Sequence, residues 1–211
     1  MLDPSKIKVI TFDLGNVLLP FSRWKAVFNL ARVSGLSPLR IGSYFLFTGL
    51  WLEFDDGEFT THEFYQRLTK DLKWEITEEE FYDAYADIFK ENWKVINLLP
   101  KLKEKYRLFI MSDINPLHVD YLPRRYDFFS NFERFITSCD IKVRKPAARA
   151  FQMMLQITGA SPEEVFFIDD RKCNVEGAKR LGINAIHFTT EEKFLSDFSK
   201  LGFLNGLNCS K

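Results

Sequence analysis

Two apolar runs at opposite ends of the chain each lead into aspartate, and this feature restricts the fold more than any other. The first run, residues 7–12, is rich in β-branched and aromatic side chains and leads into Asp13. The second, residues 165–168, has the same character and leads into Asp169 and Asp170. Such runs are typical of buried strands in a parallel sheet. Ligands bind beyond the carboxyl ends of the strands in open α/β sheets, so we expect the three carboxylates to share one crevice if these strands are neighbours.

Three carboxylates in one crevice favour the binding of a cation. They repel one another and lose hydration when they are buried, and a positive ion offsets both effects. An all-oxygen ligand set favours a hard ion, and Mg²⁺ is the natural choice. Taken singly, Asp13 is better explained as a cap of the following helix or turn, and Asp169 with Asp170 could cap the helix that follows. Their combination predicts a metal-dependent enzyme.

The composition is that of an ordinary globular protein. The 211 residues suffice for one core plus a smaller accessory unit, and 46% hydrophobic with 27% charged residues is typical of soluble domains. Lys+Arg and Asp+Glu are 29 each, so there is no basic excess to favour nucleic acid or a membrane as a partner. The three cysteines lack metal-ligand spacing, and no segment resembles a signal peptide or a spanning helix. We therefore expect a cytoplasmic monomer with a small-molecule partner.

The order of the patterns predicts a doubly wound parallel α/β sheet interrupted by a helical insertion. Strand-type runs alternate with helical patterns in the second half of the chain, as in parallel sheets with right-handed crossovers. The predicted strands are residues 8–13, 107–112, 134–138, 165–169 and 185–188. Residues 20–97 contain no convincing strand, and Thr60 and Thr77 each begin a capping box that precedes an amphipathic run. A helical block placed after the first strand cannot lie within the sheet. We therefore predict a cap formed by residues 20–97 over a core formed by residues 1–19 and 98–211.

Four positions at predicted strand ends carry groups that suit phosphoryl transfer. Asp13 follows the first strand, Ser112 ends the second, Lys145 precedes a helix, and Asp169 with Asp170 ends a late strand. A carboxylate can attack phosphorus and form an aspartyl-phosphate, which divides one difficult displacement into two easier ones. An anionic nucleophile that approaches an anionic phosphate needs a cation, together with a lysine and a hydroxyl to hold the other oxygens. The set predicts chemistry at a phosphate ester.

Taken in order, these residues resemble the four motifs of the haloacid dehalogenase superfamily of phosphohydrolases. The resemblance rests on residues 12–18, 112–115 with His118, 144–146, and 169–170 with Asn174 and Gly177. The finer resemblance is to the subgroup that contains glucose-1-phosphate phosphatase and the amino-terminal phosphatase domain of epoxide hydrolases. It implies a Rossmann-type core with a helical cap. It also implies Mg²⁺-dependent hydrolysis of a small phosphorylated metabolite, such as a sugar phosphate.

The resemblance further implies a role for each matching residue. Asp13 would be the nucleophile and a direct Mg²⁺ ligand, and the carbonyl oxygen of Gly15 would be a second ligand. Asp170 would bind the metal directly and Asp169 through water. Lys145 and Ser112 would act in catalysis by holding phosphate oxygens. The full phosphate-binding set would be Gly15, Asn16, Ser112, Asp113, Asn115 and Lys145.

One position departs from the family pattern. Most phosphatases of the family carry a second aspartate two residues after the nucleophile, as general acid and base, whereas this chain has Gly15. General acid–base catalysis is typically worth about 10²–10⁴ in rate, so the loss is serious without being fatal. A good leaving group such as that of a sugar-1-phosphate, a water molecule or a cap residue could compensate. The glucose-1-phosphate phosphatase subgroup has the same glycine.

Two other functions remain open on the sequence. Haloacid dehalogenases also lack the second aspartate, but they need no metal, and the pair Asp169 and Asp170 argues against that activity. A catalytically quiet protein that binds phosphate or metal without turnover would be explained by Gly15. A phosphorylation-receiver domain is set aside because its acid pair follows the first strand, whereas here the pair follows a late one.

Overall fold

Five parallel strands form a single sheet in the computed structural model of this chain, which describes residues 4–204. The strands are β1 (Val9–Phe12), β2 (Arg107–Ser112), β3 (Arg134–Thr137), β4 (Val165–Asp169) and β5 (Asn184–His187). Their order is β3-β2-β1-β4-β5, and every neighbouring pair is parallel. All residues of β1 and β4 are buried, which is why both segments are continuously apolar in sequence. The predicted doubly wound parallel sheet is confirmed, with strand ends within a residue or two of the predicted ones.

The central position of β1 creates the predicted crevice. The chain runs from β1 outward to β2 and β3, then crosses to β4 and β5 on the other side of β1. The register pairs Phe12 with Ile168, and the amide of Asp13 donates to the carbonyl of Ile168 at 2.7 Å. The next residues on the two strands, Asp13 and Asp169, are therefore adjacent at the carboxyl edge of the sheet. This edge is the topological switch point, where ligands bind in such folds.

Helices cover both faces of the sheet. Alternate residues of a strand point to opposite faces, so Ile10 and Phe12 pack into one apolar layer while Val9 packs into the other. The flanking helices are α6 (Trp93–Ile96), α7 (Leu99–Lys103), α8 (Pro116–Arg125), α9 (Ser138–Ile141), α10 (Ala148–Thr158), α11 (Lys172–Arg180) and α12 (Glu191–Lys200). Short 3₁₀ turns occur at Pro4–Lys6, Asp127–Asn131 and Pro162–Glu164. Among residues 4–204, no helix has the length and apolar character required to cross a bilayer.

Five helices between β1 and α6 have an apolar core of their own. They are α1 (Arg23–Ser34), α2 (Pro38–Thr48), α3 (Leu50–Asp55), α4 (Thr61–Leu72) and α5 (Glu78–Ala86). The rings of Phe54 and Phe64 stack at 3.9 Å in the centre of this group. Both predicted capping boxes are present, at the first residues of α4 and α5. We call this helical group the cap and propose to keep the predicted boundaries at residues 20 and 97.

Candidate active site

The carboxylates of Asp13, Asp169 and Asp170 converge at the carboxyl edge of the sheet. One carboxylate oxygen from each lies within 4.8 Å of the others. Asp169 is the last residue of β4 and is completely buried, Asp13 follows β1 and is 7% exposed, and Asp170 is half-buried. The adjacency of β1 and β4 thus brings together acids that are more than 150 residues apart in sequence, as the sequence predicts.

The buried ammonium group of Lys145 bridges two of these acids. Its Nζ donates to Asp13 Oδ1 and to Asp169 Oδ2, both at 2.7 Å, and to the carbonyl of Met111 at 3.0 Å. Burial alone would lower the pKa of Lys145, but the charges of Asp13 and Asp169 hold it above its ordinary value. Burial raises the pKa of Asp13 to about 7, while Lys145 opposes that rise and Asp169 adds to it. One lysine therefore compensates part of the negative charge of the cluster.

The adjacent acids at the end of β4, Asp169 and Asp170, differ in how many acceptor positions of their carboxylates are already used. Asp169 Oδ1 accepts from the amide of Arg171 at 2.8 Å, and Asn174 Nδ2 donates to both Asp169 oxygens at 3.0 Å. With Lys145, these contacts use the roughly four acceptor positions of the Asp169 carboxylate. The Asp170 carboxylate instead accepts a single bond, from Asn16 Nδ2 at 2.8 Å, within the described part of the chain. This difference favours Asp170 as a direct metal ligand and Asp169 as an indirect one.

The acid cluster fits the coordination chemistry of Mg²⁺. Oxygen atoms bound to one Mg²⁺ at about 2.1 Å lie at most about 4.2 Å apart, since opposite ligands are twice that distance from each other. The 4.8 Å limit on the carboxylate oxygens is therefore within a small side-chain movement of a shared ligand shell. The donors are all oxygens, as a hard ion prefers. Asp13 and Asp170 would hold the ion, and Lys145, which donates to Asp13 and Asp169, would offset part of the remaining negative charge.

The loop after β1 is folded tightly against the cluster. Asn16 adopts a left-handed conformation with φ of 57°, which asparagine tolerates better than most residues. The backbone N–H of Asn16 donates to the carbonyl of Leu19 at 3.1 Å. The side chains of Leu14, Val17 and Leu18 in the same loop are buried. These anchors fix Gly15 and Asn16 at the edge of the crevice, where Asn16 reaches Asp170.

The predicted phosphate-binding residues mostly line one cavity of about 540 Å³ above the cluster. Ser112 ends β2 and is 6% exposed, and the carboxylate of Asp113 accepts from the amide of Lys145 at 3.1 Å. The cavity is bordered by Asp13, Gly15, Asn16, Ser112, Asp113, Lys145 and Asp170 among others. The Asp113 contact fixes the backbone at Lys145, so Asp113 helps to position the ammonium group of Lys145 in the site.

Asn115 lies in a different place from the other predicted residues. It precedes α8, where its Oδ1 accepts from the amide of His118 at 3.0 Å. Its Nδ2 donates to Asp55 Oδ1 of the cap at 2.9 Å. Asn115 therefore belongs to a smaller inner pocket of about 60 Å³ between cap and core, which adjoins the larger cavity. Whether it contacts phosphate stays a prediction.

The inner pocket contains two charged residues, Asp55 and Arg23, that the sequence patterns do not single out as functional. Asp55, the last residue of α3, is 8% exposed, and its Oδ2 accepts from Arg23 of α1 at 3.2 Å. Burial raises the pKa of Asp55, while Asn115 and Arg23 act in the opposite direction. A helical period over residues 50–55 puts Asp55 on the same face as Trp51, four residues earlier. An acidic residue on an otherwise apolar helix face is therefore the sequence signal that could have identified Asp55.

The position of the missing second aspartate is filled by an aromatic ring. A Cβ atom built on Gly15 would lie 2.9 Å from Cε1 of Phe21, which is closer than real Cβ contacts allow. Phe21 in turn packs on Phe89, with ring centroids 5.8 Å apart. Any larger residue at position 15 therefore requires Phe21 to move. The absence of an acid here is a property of the local packing as well as of the sequence.

Comparisons with known proteins agree with this geometry. A family model described as haloacid dehalogenase-like hydrolase matches residues 7–182. The chain is 28% identical over 186 residues to D-ribitol-5-phosphate phosphatase of Bacteroides thetaiotaomicron, covering 83% of this chain and 89% of that protein.

Two solved structures have the same architecture. One is a HAD-family enzyme of Bacteroides thetaiotaomicron crystallised with magnesium and inorganic phosphate, with a TM-score of 0.77, 26% identity and coverage of 87% of this chain and 94% of that one. The other is a HAD-like hydrolase, itself assigned by prediction, from Porphyromonas gingivalis, with a TM-score of 0.78, 28% identity and coverage of 93% and 98%.

Proposed function

Because this chain belongs to the haloacid dehalogenase-like hydrolases, we propose that it is a Mg²⁺-dependent phosphatase that acts on a small phosphorylated metabolite. Family membership confirms the predicted superfamily and the predicted hydrolase class, whereas the glucose-1-phosphate phosphatase subgroup stays a prediction. One of its relatives is a D-ribitol-5-phosphate phosphatase, which supports a sugar or sugar-alcohol phosphate as the substrate here.

One observation supports this proposal above the others: the convergence of Asp13, Asp170 and Lys145 on one cavity. A dehalogenase needs a nucleophilic carboxylate but no metal-binding acids. A phosphatase needs both, because the charge on the nucleophile and the charge on the phosphate repel each other. Mg²⁺ held by Asp13 and Asp170 would supply the positive charge that offsets this repulsion.

The side chains of the site then divide the chemical work. A carboxylate oxygen of Asp13 attacks phosphorus, and the bond between phosphorus and the alcohol oxygen breaks as the acyl phosphate forms. Lys145, and the hydroxyl of Ser112 at the end of β2, hold the nonbridging oxygens. The departing alcohol takes a proton from a water molecule in the cavity, since Gly15 offers none. The hydroxide so formed attacks phosphorus, and the bond between phosphorus and the Asp13 oxygen breaks, which releases inorganic phosphate and restores the Asp13 carboxylate.

The test is phosphate release from a panel of phosphorylated metabolites that includes ribitol 5-phosphate, with Mg²⁺ and with excess chelator. We expect release only with Mg²⁺, and its loss to background in Asp13→Asn. The matched control is Asp83→Asn, which removes an exposed carboxylate on the cap helix α5 and should retain wild-type turnover. Undiminished Mg²⁺-dependent release by Asp13→Asn would refute the proposed nucleophile.

A second function is favoured by the Phe21 ring that occupies the place of the general acid. A protein slowed in this way would bind phosphate esters without multiple turnover. The two functions differ in the amount of product: a phosphatase releases many equivalents of phosphate per protein, and a quiet binding protein releases at most one. Chloride release from a 2-haloacid without Mg²⁺ would instead favour the dehalogenase alternative.

A further inference from the structure

The inner pocket is placed to receive the alcohol part of a phosphate ester. It shares Gly15, Phe21, Arg23, Ser112 and Asp113 with the cavity above the acid cluster. A phosphate held at the strand ends would therefore direct its ester substituent between core and cap. The pocket volume of about 60 Å³ corresponds to roughly four water molecules, or a short chain of carbon and oxygen atoms.

The Asp55 carboxylate offers hydrogen-bond acceptors inside this pocket. Its two oxygens accept one bond each from side chains, from Asn115 at 2.9 Å and from Arg23 at 3.2 Å. A carboxylate has roughly four acceptor positions, so about half of them are used by side chains within residues 4–204. Hydroxyl groups are suitable donors for the others, and bonds to a charged acceptor are stronger than those to a neutral one.

The charged groups that line the inner pocket each have a partner of opposite charge, which restricts the kind of alcohol that fits. Arg23 compensates Asp55, and Arg144 lies 3.9 Å from the Asp113 carboxylate. Burial lowers the pKa of His118 to about 4, so this imidazole is neutral at pH 7. Trp51 and Phe89 contribute aromatic walls. A carboxylate in the ester would be repelled by Asp55, and an ammonium group would lie beside the cation of Arg23. A neutral alcohol with several hydroxyl groups satisfies the acceptors and adds no charge.

From this arrangement we infer that Asp55 is a specificity-determining residue that accepts hydrogen bonds from hydroxyl groups of the leaving alcohol. The enzyme then prefers phosphate monoesters of neutral polyhydroxy alcohols to esters whose alcohol is charged or lacks hydroxyl groups. This inference rests on the proposed phosphatase function, because it assigns the part of the substrate that lies beyond the phosphate.

Asp55 also connects the cap to the core, so the test must separate recognition from packing. Its backbone carbonyl accepts from Ser138 Oγ at 3.3 Å, and the next residue, Asp56, pairs with Arg144 at 2.8 Å. If Asp55 had a purely structural role, its replacement would lower kcat/KM for every substrate by the same factor. A recognition role changes the preference between two esters that differ only in their hydroxyl groups.

The decisive experiment compares ribitol 5-phosphate with pentyl phosphate, which has the same chain length and no other hydroxyl group. For the wild type we expect kcat/KM to favour ribitol 5-phosphate. In Asp55→Asn this preference should fall by about tenfold to a hundredfold, as loss of a hydrogen bond to a charged group implies. Asp56→Asn removes the neighbouring carboxylate that also connects cap and core, and its preference should match the wild type.

A comparison on the wild-type protein makes the result independent of variant stability. Erythritol 4-phosphate should be hydrolysed faster than 4-phosphoerythronate, which carries a carboxylate in the alcohol part. The inference is overturned if the wild type shows no preference in either comparison, or if a stable Asp55→Asn keeps the wild-type preference.

Failure of the proposed function has a different signature, namely no phosphate release from any ester. In that case the ratio of dissociation constants for ribitol 5-phosphate and pentyl phosphate decides the inference. This ratio is measured with Mg²⁺ on Asp13→Asn protein, with and without Asp55→Asn. A ratio that is unaffected by Asp55→Asn overturns the role of Asp55.

Discussion

Replacing Lys145 by methionine tests whether the acid cluster depends on one buried cation. The Lys145 side chain is only 2% exposed, and its ammonium group makes three bonds of 2.7–3.0 Å. Methionine retains most of the volume and removes the charge. The carboxylates of Asp13 and Asp169 would then be buried without compensation, and breaking a buried ion pair in this way typically costs about 3–5 kcal/mol. We expect Lys145→Met to lower the free energy of unfolding by about that amount and to abolish phosphate release.

The assay is urea unfolding at pH 7 with excess chelator, and then with Mg²⁺. Arg144→Met is the matched control, because Arg144 is the preceding residue and its ion pair with Asp56 is 30–41% exposed. Exposed pairs contribute about 0–1 kcal/mol, so the control should lose little stability. Mg²⁺ should restore more stability to Lys145→Met than to the control, since the ion compensates the same acids. Equal losses in the two variants would refute the view that Lys145 is the charge on which the cluster depends.

Three further predictions concern other residues of the site. Gly15→Asp should cost about 1–3 kcal/mol of stability through overlap with Phe21 and leave kcat unimproved. Adding Phe21→Ala should relieve this cost and raise kcat, because the new carboxyl group can then act as a general acid. A gain in kcat from Gly15→Asp alone would contradict the steric argument. Asp170→Asn should weaken Mg²⁺ binding, so that activity needs a higher Mg²⁺ concentration for half-saturation, and an unchanged Mg²⁺ dependence would exclude a direct ligand role. His118→Gln should flatten the pH dependence of urea unfolding between pH 6.5 and 4. Burial lowers the pKa of His118 from 6.5 to about 4, so only the unfolded chain takes up the proton in that range, and the wild type loses about 3 kcal/mol of stability as the pH falls through it. A variant that keeps the wild-type slope would show that His118 is not the origin of this loss.

The sheet and the residues at the strand ends could be predicted from the sequence, because both follow from local patterns. The apolar runs before Asp13 and Asp169 are buried on both faces, and such strands must end at an edge where polar residues meet. The capping boxes at Thr60 and Thr77 fix helix starts through bonds between residues three apart in sequence. These features need no knowledge of distant contacts, so pattern and chemistry were sufficient to identify them.

The distribution of charge within the site could not be predicted in this way, because it depends on contacts between distant parts of the chain. Nothing in the sequence near Lys145 indicates that its ammonium group bridges Asp13 and Asp169, since these contacts span 132 and 24 residues. The same holds for Phe21, whose ring fills the space beside Gly15, and for Asp55, which the cap brings to Asn115 across 60 residues. Packing of one element against another sets such contacts, and the energetic cost of burying a charge depends on every group around it. The kind of chemistry could therefore be predicted from the sequence. The compensation of the buried charges and the specificity for a substrate depend on the folded arrangement.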